Sequence, residues 1–183
     1  MERGEEIFYG KNLISFNKNS PFSNVNDSVW EPGRGLVFFK FTVDDICFHS
    51  VEQYLWYRKA VLFNDQKRAK KIKEAYSASK ARRLGKHIRN ADETMWEAER
   101  PHILLKGLLA KFSQNEKLKH KLKETSSKHL VHAHESDLIS GIGLGLYNWR
   151  VMFPKYWRGK NLLGEALMKV REILRKEETP QET

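Results

Sequence analysis

The chain has 183 residues, 40% hydrophobic and 31% charged, which predicts one folded domain over 1–183 with a substantial core. Its single cysteine, Cys47, excludes a disulfide framework and suits a reducing compartment, so we expect the protein in the cytoplasm or the nucleus. The charged start predicts no signal peptide, no apolar run is long enough to cross a membrane, and the net charge of +10 favours anionic partners.

Strand patterns are confined to short stretches of the sequence. Residues 7–9 and 130–131 are weak strand candidates. A stronger pattern lies at 36–43, where large apolar side chains occupy every second position. Asp44 and Asp45 then turn the chain, so residues 36–49 are predicted to form a hairpin.

Most of the remaining chain has helical patterns. Ser50 and Gln53 form a capping box, which starts a helix that runs to about residue 63. Pro101 is expected to kink or split a longer helix over 92–112. The other predicted helices cover residues 65–76, 77–86 and 115–124, and a last helix follows an Asn161 cap with an apolar stripe at Leu163, Leu167, Val170 and Leu174.

These patterns predict a mainly α protein with minor β structure, an α+β fold in which the hairpin at 36–49 packs on about six or seven helices. Residues 177–183 are expected to be a polar tail.

Positive charge is concentrated in one stretch. Residues 65–90 contain ten Lys or Arg and two acidic residues. Two interpretations stay open: this is a solvated helical face, or it is a surface that contacts nucleic acid.

Glu52 lies in the first turn of the helix that begins after Ser50, close in sequence to aromatic and cationic residues. A carboxylate in such surroundings suits the stabilisation of positive charge that develops on a sugar. It equally suits a first-turn glutamate that the helix dipole favours.

Ten short motifs, taken together and in order, resemble the NADAR family of YbiA-like N-glycosidases over roughly residues 7–173; they lie at residues 8–9, 20–24, 51–54, 81–85, 96, 109–115, 130–131, 137, 141–144 and 159–164. The resemblance implies a compact, mainly helical single domain with its core at about 7–176. It also implies hydrolysis of the C–N glycosidic bond of a phosphorylated ribosyl-base, such as an early riboflavin-biosynthesis intermediate. Two alternatives stay open: an ADP-ribosyl-guanine hydrolase, and a non-catalytic module that binds ADP-ribose or nucleic acid through residues 65–90.

The resemblance implies three catalytic residues: Glu52, Asp137 and Trp96. One carboxylate would face the oxocarbenium-like sugar and the other the water or the leaving amine, while the indole would stack on the base. From the residues alone, Trp96 is equally a core side chain of an amphipathic helix, and Asp137 equally caps a turn.

Residues that the resemblance places around the substrate are Phe22, Asn24, Tyr54, Lys59, Lys111, Gly141, Gly143, Lys160 and Asn161. The segment 159–161 precedes a helix, so its backbone N–H groups are expected to point outward and to bind phosphate. The alternatives are an ordinary loop and N-cap at 159–161 and a solvated helical charge at Lys111.

Ser140 departs from the family pattern, which has a tryptophan there. Three consequences stay open. Another aromatic side chain replaces the indole of the missing tryptophan, with Tyr147, Trp149 and Trp157 as candidates; the substrate differs from that of the family; or the activity is reduced. Three histidines lie close together at 129, 132 and 134, but they lack a partner Cys/His pair, so we expect no metal and no other cofactor.

Overall fold

The computed structural model describes residues 7–31 and 35–177, so the expected polar tail lies almost entirely outside the described residues. The chain forms two compact units. One combines the chain up to Ser23 with the chain from Asn115 onward, and the other runs from Asn24 to Gln114. Among the described residues, no helix is both long enough and apolar enough to span a membrane.

The described residues form short strands and longer helices, which confirms the α+β prediction. The strands are β1 (Ile7–Tyr9), β2 (Leu13–Phe16), β3 (Ser28–Glu31), β4 (Gly35–Phe38), β5 (Phe41–Val43), β6 (Ile46–Phe48) and β7 (His129–His132). The helices are α1 (Val51–Leu62), α2 (Gln66–Lys73), α3 (Ala78–Gly85), α4 (Glu93–Ser113), α5 (Glu116–Glu124) and α6 (Leu162–Lys176). Two short 3-10 helices cover Trp149–Met152 and Pro154–Tyr156.

A three-stranded sheet with the order β1-β2-β7 organises the unit made from the two ends of the chain. β1 and β2 are antiparallel, while β2 and β7 are parallel. Helix α6 packs on β7, and α5 packs on α6. The predicted stripe of α6 is fully buried at Leu163, Leu167, Val170 and Leu174, because these positions recur on one helix face.

Helix α1 is the centre of the unit 24–114 and contacts α2, α3 and α4. The β5–β6 hairpin packs on α1 and α4, and its turn is made by Asp44 and Asp45, with φ of 50° and 61°. Aspartate adopts this left-handed conformation more readily than most residues. Phe48 and Tyr54 join hairpin to helix, with ring centroids 5.2 Å apart.

The predicted hairpin was too long. β4 pairs with β3 in a separate two-stranded sheet, and only residues 41–48 form the β5–β6 hairpin. The strand pattern breaks at Phe39, whose backbone N–H donates to the carbonyl oxygen of Asp27. Side-chain alternation continues through this break, so periodicity alone did not reveal it.

Pro101 was expected to kink or split its helix, and the structure shows that it does not split it. α4 continues through it over 21 residues. A proline removes one helical hydrogen bond, and the buried side chains of Leu104, Leu108 and Phe112 keep the following turns packed.

We predict that Gly107→Ala destabilises the unit around α1. A Cβ at Gly107 would lie 2.5 Å from Tyr54 Cδ1. Overpacking of this kind costs about 1–3 kcal/mol, which exceeds the helix-propensity gain of about 0.5–1 kcal/mol. Urea unfolding measures the change. In a Tyr54→Leu background the clash is relieved, so the same substitution should cost less there; an equal cost in both backgrounds would contradict the prediction.

Candidate active site

The Glu52 carboxylate is buried in the first turn of α1, with 7% of its side chain exposed. Its Oε2 accepts a hydrogen bond from Asn24 Nδ2 at 2.8 Å. Its Oε1 accepts from Trp56 Nε1 at 2.9 Å and from Arg82 Nε at 2.6 Å. Charge-assisted bonds are short and directional, so these three donors fix the orientation of the carboxylate.

Local structure at the start of α1 explains why Glu52 stands at this point. Ser50 Oγ accepts from the backbone N–H of Gln53 and caps the helix, as predicted. The Gln53 side chain accepts from the backbone of His49 rather than that of Ser50. Its amide nitrogen also donates to the carbonyl oxygens of Ile72 and Ala75, which joins α1 to the end of α2.

Asn24 is bound to Glu52 twice. Besides the side-chain bond, the backbone N–H of Glu52 donates to the Asn24 carbonyl oxygen at 2.8 Å. Asn24 is itself buried, with 5% exposed. Asn24 therefore positions the Glu52 carboxylate. The sequence had placed this asparagine around the substrate without predicting its contact with Glu52.

Arg82 and Trp56 are the two residues of this cluster that the sequence predictions missed. Arg82 reaches Glu52 from α3, and half of its side chain is exposed. A Cβ on Gly85 would lie 2.2 Å from Trp56 Cε3, so the absence of a side chain at Gly85 makes room for the indole. The motif at 81–85 contained this information, because an arginine and a glycine three residues apart face the same side of a helix.

Lys59 lies next to this cluster, on the same face of α1 as Trp56. Its side chain is buried and its Nζ lies 2.5 Å from Glu93 Oε1. The same Nζ is 5.7 Å from the ring centroid of Trp56 and 5.4 Å from that of Trp96. Both distances suit a cation–π interaction.

Trp96 is 3% exposed, and a second cation, Arg100, lies 5.3 Å from its ring centroid. The indole is thus packed among cationic side chains within the unit 24–114. This surrounding favours the core interpretation of Trp96, and its stacking role stays a prediction.

Lys111 is fully buried on α4, so its interpretation as a solvated charge was wrong. Its Nζ donates to the Asn26 carbonyl oxygen at 3.1 Å and lies 5.9 Å from the Phe39 ring centroid. Burial lowers the pKa of Lys111 from 10.5 to about 7, and the nearby charge of Asp27 opposes this shift. An amine that changes charge near neutrality therefore lies inside this unit.

Two other expected substrate contacts lie in aromatic core. Tyr54 is 1% exposed, and burial raises the pKa of its hydroxyl group. Phe22, in the other unit, is fully buried and packs edge-to-face on Phe16 with centroids 5.7 Å apart. A substrate contact by either ring stays a prediction.

Asp137 organises a loop in the unit that contains α6. Its Oδ1 accepts from the backbone N–H groups of Ile139 and Ser140 at 3.0 and 2.7 Å. Its carbonyl oxygen accepts from Gly143 N–H, and Gly143 has a φ of +69° that favours glycine. A Cβ on Gly141 would lie 2.9 Å from the His132 carbonyl oxygen. The two glycines thus shape the loop around Asp137.

The segment before α6 does not offer its backbone to a phosphate, which corrects the expected mode of binding. The backbone N–H groups of residues 159–163 all donate to carbonyl oxygens of residues 138–142, at 2.9–3.1 Å. Any anion contact at this segment therefore falls to side chains such as that of Lys160.

Asn161 marks the start of α6 as predicted, but its side chain does not cap the helix. Its Oδ1 accepts from His132 N–H at 3.0 Å and its Nδ2 donates to the Leu130 carbonyl oxygen at 2.9 Å. The buried asparagine has a φ of 52°, so the backbone turns sharply here. Asn161 therefore joins β7 to α6.

The three histidines around β7 have separate surroundings. His132 stacks on Phe16 with centroids 5.4 Å apart, and His129 Nε2 lies 3.4 Å from Glu165 Oε1. Within residues 7–31 and 35–177, no group of three or more His, Cys, Asp or Glu side chains is arranged to hold a metal ion.

Comparison with known proteins gives consistent matches. The model of the NADAR domain family matches residues 7–175. N-glycosidase R617 of Acanthamoeba polyphaga mimivirus is 43% identical over 123 residues, which are 67% of this chain and 72% of that protein. Protein irg-1 of Caenorhabditis elegans is 36% identical over 158 residues, 84% of this chain and 74% of that protein.

The bacterial protein YbiA is similar in both sequence and structure. N-glycosidase YbiA of Escherichia coli K12 is 31% identical over 118 residues, 64% of this chain and 67% of that protein. The NMR structure of E. coli YbiA matches with a TM-score of 0.69 at 25% identity, and covers 100% of this chain and 95% of that one.

We predict that Lys111→Met changes how stability depends on pH. The unfolded chain keeps the lysine proton up to about pH 10.5, whereas the folded chain loses it near pH 7. Between these values the unfolded state binds more protons, so the unfolding free energy of the wild type rises with pH, by at most about 1.4 kcal/mol per unit. The variant lacks this rise.

Urea unfolding at several pH values above 7 measures the difference. Lys106→Met on the same helix is the matched control, because more than half of the Lys106 side chain is exposed. If the unfolding free energies of the wild type and Lys111→Met depend on pH in the same way, the buried amine does not cause the predicted rise.

Proposed function

Because the chain belongs to the NADAR domain family, we propose that it hydrolyses the C–N glycosidic bond of a phosphorylated ribosyl-base, such as an early riboflavin-biosynthesis intermediate. Family membership and relatives named N-glycosidases make it an N-glycosyl hydrolase. The observation that carries the proposal is the buried Glu52 carboxylate, oriented by Asn24, Trp56 and Arg82.

Cleavage of a C–N glycosidic bond builds positive charge on C1 and the ring oxygen of the sugar. A carboxylate already held in place stabilises that charge without reorganising during the reaction. A carboxylate has roughly four lone-pair sites, and three side-chain donors occupy three of them on Glu52. The remaining site, on Oε2, is the one that we assign to the sugar or the attacking water.

Asp137 is our proposed second carboxylate. Both of its side-chain hydrogen bonds fall on Oδ1, so we assign Oδ2 to the proton that passes between the water and the leaving amine. Lys160 is the proposed phosphate contact through its side chain. Trp96 is kept as a proposed base contact, and because the indole is 3% exposed, such a role requires it to become accessible to the substrate.

An ADP-ribosyl-guanine hydrolase is the alternative, and the basic stretch favours it. Lys67, Arg68, Lys71 and Arg89 line a surface cavity of about 150 Å³ around Asp65. The backbone N–H groups of Arg68 and Arg89 donate to the Asp65 carboxylate, whose pKa is lowered despite its partial desolvation. Grouped cations of this kind suit the two phosphates of an ADP-ribosyl group.

The deciding experiment incubates the protein with a ribosylamino-pyrimidine phosphate and, separately, with ADP-ribosylated guanosine. Chromatography then measures the free base. Release from the first substrate supports the proposal, and release from the second alone supports the alternative. Binding of both without release would identify a non-catalytic module, the outcome that the Ser140 departure suggests.

We predict that Glu52→Gln lowers kcat/KM by roughly 10²–10³-fold, as expected when a preorganised electrostatic group is removed. The substitution keeps the shape of the side chain and removes its charge. Glu99→Gln, at an exposed position of α4, is the matched control and should have full activity. Unchanged turnover in a folded Glu52→Gln variant would exclude Glu52 from the reaction.

We predict that Trp56→Phe lowers kcat by roughly tenfold and changes KM little, because one donor to Glu52 is removed, worth about 1.4 kcal/mol. The phenyl ring still fills the space beside Gly85. Tyr57→Phe is the control. It also removes a polar hydrogen from an aromatic residue of α1, but not one that is bonded to Glu52, so kcat should stay unchanged. Separate measurement of kcat and KM tests the role: a change confined to KM would indicate a substrate contact and not a positioning residue.

A further inference from the structure

Residues 147–160 present an exposed group of aromatic rings that the proposed reaction does not use. Trp149, Phe153 and Tyr156 pack edge-to-face, with ring centroids 5.5–6.2 Å apart. Their exposed fractions are 62%, 46% and 38%. Tyr147, close by in sequence, is 86% exposed. Large aromatic side chains grouped on a surface commonly mark a binding site.

Cations lie over the faces of these rings. Arg150 Cζ is 5.6 Å from the ring centroid of Trp149 and 5.8 Å from that of Tyr156. Lys155 Nζ is 5.0 Å from the ring centroid of Tyr156. The sequence from 138 to 164 contains four Lys or Arg and neither Asp nor Glu. The surface is therefore aromatic and positively charged at once, which complements a partner with both flat rings and negative charge.

The backbone beneath the rings is held in place. Val151 is 2% exposed and lies in a hydrophobic core cluster of its unit. Trp157 packs against the same cluster, and its Nε1 donates to the Val151 carbonyl oxygen at 2.9 Å. Asn148 Oδ1 accepts from Arg150 N–H at the start of the first 3-10 helix. A preformed surface loses little conformational entropy when it binds.

We propose that the aromatic–cationic surface formed by Trp149, Arg150, Phe153, Lys155 and Tyr156 binds single-stranded nucleic acid. Proteins that bind single strands without sequence preference stack bases on aromatic side chains and follow the phosphates with Lys and Arg. The amphipathic helices that lie in a membrane interface present a long apolar face, whereas this surface is built on 3-10 helices of four and three residues. The proposal is independent of the hydrolase reaction.

Fluorescence anisotropy of a labelled oligothymidylate, titrated with the full chain, tests this surface. Trp149→Ala should weaken binding roughly 5- to 150-fold, the equivalent of about 1–3 kcal/mol for the removal of one base–ring stack. Arg150→Gln with Lys155→Gln should reduce the slope of log Kd against log salt by roughly 0.7 for each phosphate that these cations no longer neutralise. Because the altered side chains are exposed, thermal melting should confirm that both variants stay folded.

The matched controls lie in the basic stretch: Tyr76→Ala, an 80% exposed tyrosine, and Lys70→Gln with Lys73→Gln, two exposed lysines outside the cavity around Asp65. They should bind the oligonucleotide like the wild type. Reduced affinity in these controls and not in the Trp149 or Arg150 variants would overturn the proposal and assign binding to residues 65–90. No oligonucleotide binding at low salt, or binding only to phosphatidylserine vesicles, would overturn it as well.

Discussion

The Trp56 indole is the side chain on which the unit 24–114 most depends. Its N–H holds Glu52, its ring fits where Gly85 has no side chain, and the Lys59 ammonium lies near its face. Polar and apolar requirements meet in this one residue. Loss of the ring would disturb helix packing and carboxylate orientation together, so the orientation of Glu52 is coupled to the packing of α1 on α3.

The other unit depends on a polar residue in a comparable way. The side-chain amide of Asn161 makes the two hydrogen bonds to Leu130 and His132 that a neighbouring strand would otherwise make. Its backbone is left-handed at the start of α6. Its own N–H donates to the Gly141 carbonyl oxygen. The loop after Asp137 and the beginning of α6 therefore share their hydrogen bonds, and this explains why the glycines cluster there although the backbone N–H groups of 159–163 are not offered to an anion.

Features encoded locally were predictable, and those that depend on distant partners were not. The Ser50 cap and the α6 stripe follow from residues three or four positions apart, and both are confirmed. β2 was missed because all four of its residues are buried, which removes the alternation that marks a strand. Arg82, which donates a hydrogen bond to Glu52, lies 30 residues away in sequence. The burial of Lys111 likewise depends on how α4 packs in the folded unit. Sequence spacing shows neither.

Burial of Lys111 also makes this residue a natural reporter of motion. An acylating reagent must contact the amine to react with it, and Lys111 is fully buried. Enclosure by the rings of Phe39 and Phe112 keeps the reagent out until the unit opens locally. The labelling rate of this lysine therefore measures how often the interior of its unit becomes accessible to solvent, without any introduced probe.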